Sequence, residues 1–158
     1  MPRGRSWWLL QGTGWLLLAY LTYAQLIAAL DYERGVQLGT QEPAAQITEV
    51  GVAFFKGFAF GDLVTYVPLL LVGLIGHFLR QHWGRIAFAA ALGITVYWPM
   101  VCLAAVYTAR EAEGWLLGSP IEYWAILPII TLWGVWGLWT LLQEAQLTLD
   151  GGQNDSES

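Results

Sequence analysis

Asp62 is the residue of this sequence whose type and position most suggest chemistry. It begins an apolar stretch, 62–79, that carries no other charged residue. Leu79 lies 17 residues further on, which is about 25 Å along a helix that rises about 1.5 Å per residue. A helix crossing a membrane would therefore place Asp62 near one edge of the hydrocarbon. A carboxylate there is costly, so it is expected to point inward to a partner or to carry a proton in a reaction.

Four other polar residues are predicted to lie at a similar depth. Gln25 comes near the end of the first apolar stretch, and Tyr66 lies one helical turn from Asp62. Tyr107 and Arg110 come at the end of the third stretch. The five residues together predict a polar ligand-binding pocket near the outer leaflet. The alternative is that Asp62 caps a helix N-terminus, where Asp is a favoured residue.

No motif of a known catalytic centre accompanies these residues. The sequence has no GxSxG, no HExxH and no Walker lysine, which are motifs with a defined catalytic role. Cys102 is the only cysteine, and the two histidines, His77 and His82, lack the spacing of zinc or haem ligands. The sequence therefore predicts no metal and no cofactor, and it suggests that both histidines are interfacial polar residues.

The elements that position these residues are four long apolar stretches, 6–30, 62–79, 86–109 and 123–143. Of the 158 residues, 56% are hydrophobic and 12% are charged, against roughly 25% charged residues in soluble domains. Each stretch approaches the roughly 20 residues that cross a bilayer, where the backbone is satisfied only in helices or closed barrels. The stretches are too long, and apolar on too many sides, for barrel strands.

The predicted fold class is an all-α membrane protein with four transmembrane helices. The membrane domain is predicted to cover 1–147, with spans at about 8–30, 60–80, 86–108 and 121–143, followed by a disordered acidic tail at 148–158. Glu42 and Pro43 are typical of a helix start, so a helix is expected to run from the first loop into the second span. An irregular outer loop is the alternative.

Charged residues predict the orientation of these helices. Arg3 and Arg5 precede the first span, and Arg80 and Arg85 lie in the short second loop, whereas the first and third loops are mainly acidic. Positive residues favour the cytoplasmic side, and short loops make successive helices antiparallel. The prediction is an up-down-up-down bundle in the cell membrane with both termini cytoplasmic. The net charge of −5 and the lack of a basic surface argue against nucleic acid as a partner.

Small and polar residues are predicted to hold the bundle together, because burying leucine gains little when lipid is the alternative. In the second span these are Gly57 and Gly61, which form a GxxxG motif, with Gly73 and Gly76 on one stripe beside Asp62, Tyr66 and His77. The predicted inward stripes of the other spans are Gly14, Leu18, Thr22, Gln25 and Ala29 in the first, Gly93, Tyr97, Ala104 and Thr108 in the third, and Tyr123, Thr131, Gly134 and Gly137 in the fourth.

The function predicted from these features is that of a small multi-pass membrane protein without a catalytic signature. It would be an accessory subunit or would bind a lipidic molecule in the polar pocket. Two other classes remain open: a proton-transfer or isomerase enzyme that uses Asp62 on a lipid-soluble substrate, and an oligomeric ion- or proton-coupled transporter. The expected partners are the lipid bilayer, a lipidic ligand, and further copies of the chain or a larger membrane complex.

Overall fold

The computed structural model describes residues 4–117 and 121–154, and over these residues the chain is helical without β-strands. The helices are α1 (Arg5–Leu30), α2 (Tyr32–Gln37), α3 (Ala44–Gly61), α4 (Val67–Phe78), α5 (His82–Ala109) and α6 (Leu127–Asn154), with π-helical segments at Asp62–Tyr66 and Glu122–Ile126.

Four helical stretches are long and apolar enough to cross a membrane, as the sequence predicts. Their bounds are Arg5–Leu30, Ala44–Phe78, His82–Ala109 and Tyr123–Gln146. The length and composition of these helices are those of an integral membrane protein. The predicted disordered tail overlaps the end of α6, which continues to Asn154, and residues 155–158 lie outside the described part of the chain.

The second span begins in the first loop, which confirms the predicted helix start. Pro43 is extended, and α3 begins at the next residue. The helix is broken once, at Thr48, whose φ of 66° is strained for a β-branched residue. The Thr48 hydroxyl accepts a hydrogen bond from Gly51 N at 3.4 Å. From there the stretch runs through Asp62–Tyr66 into α4.

Each π-helical segment ends two residues before a proline, Pro68 or Pro128. A proline inside a helix has no N–H and its ring presses on the carbonyl of the residue four positions earlier. A wider turn relieves that pressure, and at the first segment the Val67 N–H bonds to Asp62 O, five residues back. Such π turns are frequent at functional sites, and this one carries Asp62 and Tyr66.

The turn between α4 and α5 brings the two helices into backbone contact. A Cβ added at Gly73 would lie 2.6 Å from Phe88 Cα, and one added at Gly76 would lie 2.5 Å from Gly84 Cα. These two glycines thus sit where the sequence expects close packing. By contrast, a Cβ at Gly57 or Gly61 would meet no atom within 4 Å, so the GxxxG motif packs against no described residue of this chain. Its contact with a further copy stays a prediction.

Two of the predicted stripes have opposite outcomes. All the residues of the second-span stripe are buried, which confirms that prediction: Asp62, Tyr66, Gly73, Gly76 and His77. The α5 stripe is wrong, because its four residues, Gly93, Tyr97, Ala104 and Thr108, are exposed. The contact between Gly84 and Gly76 fixes the rotation of α5, and the buried face follows from Gly84 at helical spacing through Phe88, Ala91, Leu92, Thr95 and Pro99.

The two ends of the bundle are built differently. At one end α4 and α5 are joined by a turn of three residues, 79–81, and we name this the hairpin end. At the other, the loop end, α2 and the segments 38–43 and 110–117 meet. There the break at Thr48 accompanies a docked loop, because Gln46 O accepts hydrogen bonds from Leu116 N at 2.7 Å and Leu117 N at 3.0 Å.

Candidate functional site

A cavity of about 230 Å³ lies at the loop end, and we name it the Asp62 cavity. All four membrane-crossing stretches contribute to its wall, and the segment after α2 covers it. The lining residues are Tyr20, Leu21, Ala24, Gln25, Gly39, Thr40, Gln41, Glu42, Phe55, Phe58, Asp62, Trp98, Cys102, Tyr123, Ile126, Leu127 and Ile130.

The Asp62 carboxylate is buried and only partly satisfied. The residue is 8% exposed, and its Oδ2 accepts a hydrogen bond from Gln25 Nε2 at 2.9 Å. None of the hydrogen bonds among the described side chains reaches Oδ1, and no described Lys, Arg or His lies within ion-pair distance of the group. Asp62 Oδ1 can therefore accept a further hydrogen bond. When the carboxylate is ionised, no described residue compensates its negative charge.

Asp62 is not a helix cap, so that alternative is wrong. The helix continues through Gly61 and Asp62, whose φ of −63° and ψ of −44° are helical. No backbone N–H of the following turn bonds to the Asp62 side chain. The carboxylate is instead held by a residue of another helix.

Tyr66 lies one turn from Asp62 and is bonded to α5. Its hydroxyl is 2.6 Å from Thr95 Oγ1, and the Thr95 hydroxyl donates to Ala91 O at 2.9 Å. Because the single Thr95 proton goes to that carbonyl, the Tyr66 hydroxyl is the donor of the shorter bond. Tyr66 is therefore committed to joining two helices.

Tyr107 and Arg110 are not brought to Asp62. The Arg110 guanidinium lies 4.0 Å from the centroid of the Tyr107 ring and 3.5 Å from Glu111 Oε1. Neither residue lines the Asp62 cavity. Of the predicted pocket, the structure brings together Gln25 and Asp62, with Tyr66 adjacent.

An exposed groove adjoins the cavity on the outer surface of the bundle. Its volume is about 610 Å³, and its lining residues are Ala53, Phe54, Gly57, Phe58, Gly61, Asp62, Thr65, Tyr66, Ile94, Tyr97 and Trp98. Phe58, Asp62 and Trp98 border both the groove and the cavity. The Trp98 indole nitrogen is buried and makes no hydrogen bond with a described residue. An unused N–H donor therefore belongs to a residue that borders both the cavity and the groove.

The cover of the cavity is fixed by Tyr32. Its hydroxyl donates to Glu42 O at 3.0 Å. Burial, together with the negative charges of Glu42 and Glu33, raises the pKa of Tyr32 to about 12. Tyr32 thus stays a neutral donor at ordinary pH, and the segment 39–42 is held across the cavity.

A second buried polar cluster lies toward the hairpin end. Trp15 Nε1 donates to Gln11 Oε1 at 3.0 Å, so the other end of the amide, Nε2, faces His77 Nδ1 at 2.9 Å. With this amide orientation Nδ1 accepts, and the proton on His77 Nε2 is donated to Glu144 Oε2 at 3.1 Å. The predicted inward position of His77 is confirmed, because the residue is 2% exposed, and its place near the membrane interface stays a prediction.

Several residues of these two clusters were not predicted. Gln11 lies three residues before Gly14, so extending the predicted α1 stripe by one turn would find it. Glu42, Trp98 and Tyr123 join the Asp62 cavity from distant segments, and no sequence spacing relates them. Among the described residues, no group of three or more His, Cys, Asp or Glu side chains is placed to hold a metal ion.

Comparisons with known proteins add no family to this description. No protein-family model matches the chain, and neither the curated proteins nor the solved structures give a significant match.

Proposed function

We propose that this small multi-pass membrane protein binds an amphipathic lipidic molecule at the Asp62 cavity. The observation that carries the proposal is the position of Asp62, which borders both the cavity and an exposed groove. The polar end of the molecule would occupy the cavity, and its apolar part would lie in the groove. Ligand sites commonly combine apolar walls with a few converging polar groups of this kind.

The groove is suited to an apolar chain because of the small residues on one face of α3. Ala53, Gly57 and Gly61 follow each other at four-residue intervals and are exposed. Their missing side chains leave a furrow, since a Cβ at either glycine meets nothing within 4 Å. Opposite them lie Ile94 and Tyr97 of α5. An acyl or isoprenoid chain in this furrow would gain close packing.

Photo-crosslinking in lipid nanodiscs tests this proposal. We expect hexadecanol carrying a diazirine at mid-chain to label peptides that contain 53–65 and 94–98. Gly61→Leu fills the furrow and is expected to reduce that labelling several-fold without lowering the melting temperature. Val50→Leu is the control, because Val50 is 78% exposed on the same helix but lines neither the cavity nor the groove.

Two outcomes would contradict the proposal. Labelling spread over all exposed helix faces in proportion to their area would mean that no groove is selected. Unchanged labelling in Gly61→Leu, with loss of a dimer in that variant, would assign this face to packing between copies of the chain.

An enzyme acting on the bound molecule is the second candidate. It is favoured by Glu42, because the first loop brings this second acidic residue to the cavity of Asp62. Two carboxyl groups at one cavity can act as general acid and base. If the protein transfers protons, the molecule that co-purifies with it should gain deuterium in D₂O. The gain should be absent in Asp62→Asn, and its absence in the wild type would remove this candidate.

The proposal includes a topology in the cell membrane. Both termini and the hairpin end would face the cytoplasm, in an up-down-up-down arrangement, and the Asp62 cavity would open at the outer leaflet. In a Cys102→Ala background, an impermeant thiol reagent applied to intact cells should label a cysteine at Gln41 and not one at His82. The reverse pattern would invert the protein and move the cavity to the inner leaflet.

A further inference from the structure

The Asp62 cavity is anionic in its ionisable groups. Asp62 and Glu42 line it, from different segments of the chain, and none of the described lining residues is Lys, Arg or His. Two basic side chains of the loop end are engaged elsewhere. Lys56 Nζ lies 5.5 Å from the centroid of the Tyr32 ring, and Arg110 is paired with Glu111.

Asp62 is buried without a positively charged partner among the described residues. Asp62 is more than nine-tenths buried, and its single hydrogen bond comes from the neutral Gln25 amide. Acidic residues within membrane spans usually pair with a positive group or face a water-filled path, because an isolated charge in low dielectric is costly. Here Asp62 lines the cavity, and no hydrogen bond of a described residue reaches its Oδ1.

Aromatic rings form much of the remaining wall. Tyr20, Phe55, Phe58, Trp98 and Tyr123 all line the cavity. The faces of such rings attract cations, and aromatic surroundings are a common means of holding ammonium groups. Carboxylate and aromatic groups in one cavity therefore favour the same kind of ligand. Its volume of about 230 Å³ far exceeds the roughly 10–15 Å³ that a single water needs, so a substituted ammonium group would fit.

We propose that the polar end of the bound molecule is a cationic amine, held by Asp62 Oδ1 and the aromatic wall. This inference rests on the proposed function and adds the ligand class. The ammonium group supplies the positive charge that the described residues do not supply. A protonated amine donates N–H to Oδ1, and a quaternary ammonium is held by charge and ring faces alone. A neutral or anionic head would leave Asp62 uncompensated.

Binding of two matched lipids tests the ligand class. Hexadecylamine and hexadecanol share one chain and differ in the charge of the head. We would titrate each into the delipidated full-length protein in neutral detergent and follow occupancy by native mass spectrometry. The wild type should bind the amine at least about tenfold more tightly, because hydrogen bonds between charged groups are roughly twice as strong as neutral ones.

Substitutions connect that preference to the cavity. Asp62→Asn should bring the ratio of the two affinities close to one. Glu113→Gln is the control, because it removes an equal charge from an exposed residue of the loop end that does not line the cavity, and it should keep the wild-type ratio. A preference that survives Asp62→Asn, or that falls equally in Glu113→Gln, would overturn the inference by assigning it to the net negative charge of the protein.

The remaining outcomes separate this inference from the proposed function. Equal binding of amine and alcohol, both weakened by Gly61→Leu, would leave a lipid-binding groove and remove the cationic head. Binding of neither lipid at concentrations below those that saturate the micelle would remove both.

Discussion

The hairpin end and the loop end of this molecule bury similar polar side chains, but these side chains differ in how many hydrogen-bond partners they have. Near the hairpin end, hydrogen bonds between different helices join Gln11 to His77 and His77 to Glu144. At the loop end, Asp62 receives a single hydrogen bond and faces a cavity. Polar groups satisfied within the chain stabilise it, whereas unsatisfied ones beside a cavity indicate a ligand.

The difference follows from how closely the helices approach. Gly76 and Gly84 bring the backbones of α4 and α5 together, which leaves no space between them. At the loop end, the π-helical segments Asp62–Tyr66 and Glu122–Ile126 widen two of the spans, and bulky aromatic residues line the gap. Small residues allow close packing at the hairpin end, and the π-helical turns before the prolines leave space at the loop end.

The largest effect is expected from Gly84→Ala. The added methyl group would collide with the backbone of Gly76, and overpacking of this kind costs about 3 kcal/mol when backbone must move. The free energy of unfolding in mixed micelles measures it. Gly57→Ala is the matched control and should be nearly neutral, because its methyl group meets no neighbour. Equal losses in the two variants would mean that the hairpin end is not more closely packed than the groove.

A smaller loss is expected from Gln11→Leu, which removes the link between Trp15 and His77. Hydrogen bonds between membrane helices contribute about 0.6 kcal/mol on average and up to about 1.7, and His77 Nδ1 would be left unsatisfied, so we expect about 1.5 kcal/mol. Thr13→Val is the control, because the Thr13 hydroxyl bonds within its own helix. A Gln11→Leu protein as stable as Thr13→Val would show that this network does not stabilise the hairpin end.

Tyr32→Phe should have a local effect at the loop end. It removes the hydrogen bond to Glu42 O and should cost about 1 kcal/mol, with faster hydrogen exchange over 39–42. Because burial raises the pKa of Tyr32 from 10.0 to about 12, the folded protein keeps this donor at pH 7 and at pH 9, and the stability difference between wild type and variant should be equal at both. Above pH 10 the unfolded wild type loses the Tyr32 proton first, so its advantage over Tyr32→Phe should shrink. A difference that is already lost at pH 9 would mean that Tyr32 ionises earlier.

The four helices and part of the site, the pair Gln25 and Asp62, can be predicted from the sequence. Apolar length predicts the four spans because the bilayer leaves the backbone few other choices. Gln25 and Asp62 were paired correctly because both lie at the same depth in adjacent spans. Helix rotation is less accessible, since in lipid both faces of a helix are apolar. The α5 stripe through Tyr97 was therefore wrong, and Arg110 was expected at the cavity although it contacts Tyr107.

The sequence also does not predict which loop residues line the cavity. Glu42 reaches the cavity because Tyr32 bonds its carbonyl, a contact between segments ten positions apart with no periodic relation. Gln11 was accessible in principle from the spacing of the α1 stripe. The inward stripe correctly places His77, but its partners, Gln11 and Glu144, lie on two other helices, and a single histidine carries no sign of such partners.

The smallest effect on stability is expected from Asp62→Asn, which sharpens the contrast between the two ends. The amide oxygen of Asn can accept the hydrogen bond of Gln25, and loss of charge relieves the cost of burying a carboxylate. The hydrogen bond becomes weaker because its acceptor is now neutral, and this loss opposes the gain from removing the buried charge. The free energy of unfolding should therefore stay within about 0.5 kcal/mol of the wild type. Binding should change nonetheless, through loss of the preference for hexadecylamine. A loss of stability as large as that of Gln11→Leu would instead mean that Asp62 is a structural partner, and the two ends would then differ in packing alone.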